Sequence, residues 1–273
     1  MPSPLALPLA ASVAVRFQVF PQVRAIALAG SHCAAQPDAF SDLDLYVYAD
    51  AEIPPVARCA IASACAGRSE IDNRFWEPGD EWIERASGIG IDLMYRRPDW
   101  IEAQLDRLLV RHQASVGYST CFWWNVLHSH ALYDPSGWFG ALQQTARRPY
   151  PPELQRAIIA KNYPILRRNI SSYRRQVEIA IARRDSVGVG HRVTAFLASY
   201  WDILFAVNQT PHPGEKRTVE YVRRLCSKLP EGWEPDVEAL LASPALAHLD
   251  RLTDRLDELL TTLGLSPEAA DGC

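Results

Sequence analysis

The chain has 273 residues, 48% hydrophobic and 22% charged, enough to build one large or two modest globular cores. Its formal net charge of −4 argues against a general nucleic-acid coat, which would be strongly basic, so no stable nucleic-acid partner is expected. No apolar run approaches the roughly 20 residues that span a bilayer, and no Lys or Arg precedes Arg16 to start a signal peptide, so the expectation is a cytoplasmic protein with no membrane partner.

Apolar residues at helical spacing predict a first helix over 8–20, closed by Pro21. Val23 to Ala29 reads as a strand ending in a Gly30-Ser31 turn. Over 42–48 the pattern alternates: Leu43, Leu45 and Val47 take one face of a strand, Asp42, Asp44 and Tyr46 the other. Pro54-Pro55 opens a helix through Ala66, since proline is tolerated in a first turn. Ile71 to Trp76 reads as a strand, Glu77-Pro78-Gly79-Asp80 as a turn, 89–95 as a strand, and Pro98 to His112 as a helix. These elements make an α+β pattern, helices around a small mixed sheet.

Residues 115–133 are aromatic and apolar, and Leu132-Tyr133 reads as a strand end running into the turn Asp134-Pro135-Ser136-Gly137. A helix over 138–147 stops at Pro149-Tyr150-Pro151-Pro152, the best domain boundary in the chain, which predicts domains 1–150 and 151–273. Helical segments over 153–184, 189–209, 215–228 and 236–263 follow, a C-terminal α-helical bundle. In the last segment Leu249, Leu252, Leu256, Leu259 and Leu263 mark one face.

Chemistry concentrates on three strands. Asp42 and Asp44 project side by side, and carboxylates that close repel unless a cation lies between them; hard oxygen donors favour Mg²⁺ or Mn²⁺. Just upstream, Gly30 lets backbone amides approach a phosphate, and the Ser31 hydroxyl adds a donor. In the strand of 89–95, Ile91 and Leu93 face the core and Asp92 the opposite side.

A Gly-Ser after a strand, a loop, Asp-apolar-Asp on the next strand and a third carboxylate on a later one resemble the active-site signature of the DNA polymerase β-like nucleotidyltransferase superfamily. The usual Gly-Gly-Ser is Ala29-Gly30-Ser31 here. A catalytic N-terminal domain before a substrate-binding helical bundle is similar to the small-molecule nucleotidyltransferases, including those that adenylylate aminoglycoside and lincosamide antibiotics. The resemblance implies transfer of a nucleoside monophosphate, AMP from ATP being the first choice, to a hydroxylated small-molecule acceptor with release of pyrophosphate. It implies two Mg²⁺ ions on Asp42, Asp44 and Asp92, with Asp92 on the acceptor side as general base. Gly30 and Ser31 would hold the β- and γ-phosphates, and Ser41 would steady the loop or touch a phosphate. The alternatives are a protein-modifying enzyme of the toxin–antitoxin type and a degenerate nucleotide-binding module.

Residues 161–192 hold eight Lys/Arg against two acids, and 231–273 hold ten acids against two Arg. The basic stretch either presents Lys161, Arg167 or Arg168 to a triphosphate, with Lys161 the best nucleotide-binding choice, or forms a solvated face paired with the acidic last helix. Glu77 and Asp80 either meet a cationic acceptor or are solvated turn residues. His212-Pro213-Gly214-Glu215-Lys216-Arg217 either caps a helix or touches substrate. His128 and His130 lack a third ligand for zinc, and the six cysteines show no paired spacing, so buried free thiols are expected.

Overall fold

The computed structural model describes residues 6–34, 41–75 and 77–266. It divides into two compact units, Met1–Asp106 with Asn125–Arg148, and Arg107–Trp124 with Pro149–Cys273. The expected division at 150 and this partition differ over residues 107–124, and over residues 149–150, all of which group with the helices.

In chain order the first unit contains α1 (Ala6–Phe17), β1 (Val23–Leu28), α2 (Ser31–Ala34), β2 (Leu43–Ala49) and α3 (Pro55–Cys65). There follow β3 (Ala66–Asn73), β4 (Gly79–Glu84), β5 (Gly90–Arg96) and α4 (Pro98–Leu109). After α5 (Cys121–His128), the unit is completed by β6 (His130–Tyr133) and α6 (Trp138–Ala146); the chain changes units within α4 and again within α5. The strands form one six-stranded mixed sheet in the order β3-β4-β5-β2-β1-β6. Only the central pair, β2 and β5, is parallel. The α+β architecture expected from the sequence is the one observed.

The alternation in β2 does what its period demands. Leu43, Leu45 and Val47 are buried in a core with Ile91, Leu93 and Trp82 of the neighbouring strands and Ala10, Val13, Ala14 and Phe17 of α1. Phe17 stacks on Trp82 at 6.0 Å between ring centroids. On the opposite face Tyr48 packs against Trp138 and Phe139 of α6, and the Tyr46 hydroxyl accepts a hydrogen bond from Asn125 Nδ2 at 2.9 Å. The far half of β2 is therefore covered on both faces, whereas Asp44, at its start, is only half-buried.

Strand β4 falls where the sequence pattern predicts a turn and then no element. Asp80 points inward with Trp82 and is 1% exposed, so an acid occupies a core position and hides the alternation. Its charge is met by Arg58 Nη1 at 2.5 Å and by the Tyr95 hydroxyl at 2.6 Å. Glu77 forms a bidentate pair with Arg96, at 2.8 and 2.9 Å. Neither acid is a solvated turn residue. The predicted strand Ile71–Trp76 is also displaced: β3 begins directly after α3 and ends at Asn73, and Trp76 lies outside the described residues.

The second unit is helical: α7 (Pro152–Arg167), α8 (Tyr173–Ala182), α9 (Ser186–Val207), α10 (Thr218–Leu225), α11 (Trp233–Ala242) and α12 (Leu246–Thr262). Two predicted segments are each broken in two. Ser172 caps α8 by accepting from the Arg175 amide, ending the run through 153–184, and Ser243-Pro244 interrupts the run through 236–263. In α12 the buried leucines are Leu249, Leu252, Leu256 and Leu260, with Leu260 taking the place expected for Leu259. Arg167 pairs with Asp254 and Asp257, and Arg174 with Asp250 at 2.6 Å, so these cations bind the acidic helix, as one of the two expectations had it.

A buried polar cluster lies at the centre of this unit. Asp202 accepts from the Ser119 amide (3.0 Å) and hydroxyl (2.6 Å) and from Asn162 Nδ2 (3.2 Å). Asn162 Oδ1 accepts from the Gly117 amide at 2.8 Å, so two side chains pin a loop in which Gly117 and Tyr118 both have positive φ. Burial raises the Asp202 carboxyl to about 7, against the lowering effect of its hydrogen bonds from Ser119 and Asn162. His212 is fully buried, its Nδ1 accepts from the Gly214 amide at 3.0 Å, and burial lowers its imidazole to about 3. It anchors the 212–217 loop from within.

Candidate active site

The site starts from the parallel pairing of β2 with β5. In that register Asp44 stands opposite Asp92, flanked by the core pairs Leu43–Ile91 and Leu45–Leu93. A one-residue slip would turn both sets of side chains over, so the buried leucines hold the two carboxylates on one face. Asp42 lies one residue before β2 and is exposed.

Two glycines clear the space these acids occupy. Gly30 lies two residues beyond β1 at φ 62°, and a Cβ built there would overlap the Asp44 carboxylate. A Cβ at Gly90 would likewise overlap the Asp42 carboxylate. The Ala29 amide donates to the Asp44 carbonyl at 2.8 Å, tying the Gly30-Ser31 turn to the strand that carries the acids. Gly30, Ser31, Asp42, Asp44 and Asp92 are therefore brought to one end of β1, β2 and β5. Lys161 is an exposed residue of α7 in the other unit.

Two features escape the sequence pattern. His32, 7% exposed on α2, lies with Nε2 3.3 Å from the Ser41 carbonyl. It links the start and the end of the loop before Asp42, of which residues 35–40 lie outside the described residues. The second feature is the extension of the acidic row. Glu81 of β4 pairs with Asp92, and Glu70 of β3 pairs with Glu81, so four carboxylates stand in register across β2, β5, β4 and β3. Like charges directly opposite one another destabilise a sheet. Glu81 accepts from Asn73 Nδ2 and Glu70 from Arg68 Nη2, both at 2.7 Å. The row was hidden because it depends on the register of β4.

Among the described residues, no group of three or more His, Cys, Asp or Glu side chains is gathered closely enough to hold a metal ion. The backbone register and the glycine clearances suit hard oxygen ligands, and they bring Asp42, Asp44 and Asp92 to one end of the sheet. His128 ends α5 and His130 begins β6, and they form no such group. Cys33, Cys59, Cys65, Cys121 and Cys226 are free thiols, but of these five Cys226 alone is buried and Cys59 is exposed, so the expected burial does not hold for all of them.

No protein-family model matches the chain, and no curated protein matches it. Among solved structures it is similar to a nucleotidyltransferase-like protein from Exiguobacterium sibiricum 255-15. That likeness covers 94% of this chain and 74% of the other, at 12% identity and a TM-score of 0.44. No helix of the described residues is long and apolar enough to cross a membrane.

Proposed function

We propose that the chain is a divalent-metal-dependent nucleotidyltransferase that moves a nucleoside monophosphate, AMP from ATP, to a hydroxyl of a small molecule and releases pyrophosphate. The observation that carries this is the register of Asp44 with Asp92, set beside a Gly-Ser turn whose glycine leaves room for the Asp44 carboxylate. Asp42, Asp44 and Asp92 are the residues to hold Mg²⁺ or Mn²⁺, and a pair of such ions would neutralise the leaving pyrophosphate and acidify the attacking hydroxyl. Gathering the three carboxylates on metal asks for side-chain rotation on strands whose register is already suitable.

The other steps belong to the chain. Asp92 accepts the proton of the acceptor hydroxyl as it attacks the α-phosphorus. Amides at the Gly30-Ser31 turn and the Ser31 hydroxyl bind the β- and γ-phosphates, and Ser41 steadies the approach to Asp42. Glu81 and Glu70 extend the negative surface outward from Asp92, which suits an acceptor that carries amines as well as hydroxyls. We extend a nucleotide-binding role to Lys161 on its charge and exposure alone.

Calorimetry with ATP, GTP, CTP and UTP, with and without Mg²⁺, tests the assignment on wild type and Asp44→Asn. Metal-dependent binding of one nucleotide, lost in the variant, is the expected result. A nucleotide bound equally well by Asp44→Asn, or by neither protein, would remove the assignment.

A further inference from the structure

Helix α3 distributes its charge in the reverse of the usual way for a surface helix. Its one charged residue, Arg58, is 2% exposed and points inward, where it donates to the Ile53 carbonyl at 3.0 Å and pairs with the buried Asp80. Ala57, Ile61, Ala62 and Cys65 lie on that same side, against the core. The exposed residues are Val56, Cys59, Ala60, Ser63 and Ala64, at the i, i+3, i+4, i+7, i+8 spacing of a single helix face. Val56 is 82% exposed. A helix that faces water normally carries charged residues on such a stripe, and this one has none. Apart from Val56 the stripe consists of small side chains, which lets another backbone come close.

The helix runs without an intervening residue into β3, the last strand at one edge of the sheet. Gly67, Arg68, Ser69 and Glu70 are all exposed, and no strand among the described residues pairs with the outer side of β3. Its pairing with β4 shifts register on either side of residues 68–70, so these three form the regular part of the edge. Ile83 of β4, opposite Arg68, is 45% exposed. A free strand edge presents N–H and C=O groups that another strand can take up.

The charges on this edge select what can pair with it. Arg68 and Glu70 flank Ser69 on one face of the strand, and Arg68 Nη2 donates to Glu70 at 2.7 Å. Both side chains are well exposed, at 77% and 48%, so this pair contributes little and exchanges readily for another. A two-fold axis through Ser69 would set the partner's Arg68 opposite Glu70 and the partner's Glu70 opposite Arg68. Moving the axis to Arg68 or to Glu70 would set like charges face to face, so charge fixes the register. The same pairing brings a cation to the end of the acidic row, which runs from Asp44 to Glu70.

We propose that α3 and β3 form the interface of a homodimer, in which the two β3 strands pair antiparallel about Ser69 and the uncharged stripe of α3 is covered by the partner. The occupant is a second copy of this chain because Arg68-Ser69-Glu70 is complementary to itself in that pairing. This assignment is independent of the nucleotidyl-transfer proposal. Sedimentation equilibrium of the full chain over a range of concentrations tests it, with thermal melts to show that each variant folds. Expected are a wild-type dimer and at least tenfold weaker association in Ala60→Glu, which adds a charge to the stripe at an exposed position. Arg68→Glu should weaken the dimer several-fold, since it places an acid opposite each Glu70. The Arg68→Glu/Glu70→Arg double variant should restore association, because the exchanged charges remain complementary. A monomer at every concentration would overturn the proposal and leave the stripe to a partner of another kind. A dimer unchanged in folded Ala60→Glu, or a double variant as weak as Arg68→Glu, would overturn it by placing the contact elsewhere on the molecule.

Discussion

Asp44 and Asp202 show two ways of housing an aspartate. Asp44 is half-buried at the start of β2, beside a glycine whose missing side chain leaves its carboxylate room. Asp202, 1% exposed on α9, is surrounded by donors: the Ser119 amide and hydroxyl and the Asn162 amide group. Around the first, the fold clears space and aligns further acids; around the second, it supplies donors and closes the space. A carboxylate saturated with donors by its own chain is arranged to hold a loop, whereas one lined up with other acids beside a cleared space stands at the mouth of the sheet.

The comparison breaks most visibly if the acids of β2 and β5 can be changed without consequence. Asp92→Ala should lower nucleotidyl transfer by about 10²–10⁴ if Asp92 is the general base, while the thermal melt stays close to wild type because Asp92 is not in the core. Steady-state kinetics at saturating nucleotide decide this, and normal turnover would take Asp92 out of the mechanism. A subtler change fills the cleared space instead of removing the acid. Gly90→Ala puts a methyl group where the Asp42 carboxylate lies, so transfer should fall by about tenfold or more as Asp42 is displaced, since small misplacements of reacting groups are costly. Unchanged kcat and KM in a folded Gly90→Ala protein would show that Asp42 does not need that position.

The closed acid is tested through pH. The Asp202 carboxyl is raised to about 7 by burial, so the folded state holds a proton there that the unfolded chain releases near pH 4. Its contribution is complete below about pH 4 and is lost as pH rises towards 7. His212 has the opposite sign: its imidazole is lowered to about 3, so its contribution is complete above about pH 6.5 and is lost as pH falls towards 3. Between about pH 4 and 6.5 the two slopes oppose each other. Asp202→Asn should therefore unmask a rise in stability with pH over that interval, read as a denaturation midpoint that climbs from pH 4 to 6.5 more steeply than in wild type. Parallel midpoint curves for the two proteins would show that Asp202 does not hold its proton in the folded state.

Local pattern was a sound guide where each residue answered to its own element. The alternation Leu43, Leu45, Val47 set β2 and the face of Asp42 and Asp44, because a strand has a period of two whatever lies beside it. The same rule placed Asp92 beside Ile91 and Leu93, and the helical spacing after Pro152 announced a helical unit. Pattern failed at Asp80, where a core position is occupied by an acid whose charge is balanced by Arg58 and Tyr95 from other elements. With β4 hidden, the register of Glu81 and Glu70 with Asp92 could not be read.

The sequence alone determined which strands carry the carboxylates and which face of each they occupy, since these depend only on the spacing of apolar residues. The tertiary structure decided which strands are neighbours: that β5 runs parallel to β2 with Asp92 opposite Asp44, and that Gly30 and Gly90 clear room for the acids. It also decided that Asp80 and Asp202 are buried while Asp42 is exposed. Side-chain periodicity is a local property of the backbone, whereas pairing, burial and the balance of charge depend on residues far apart in the chain.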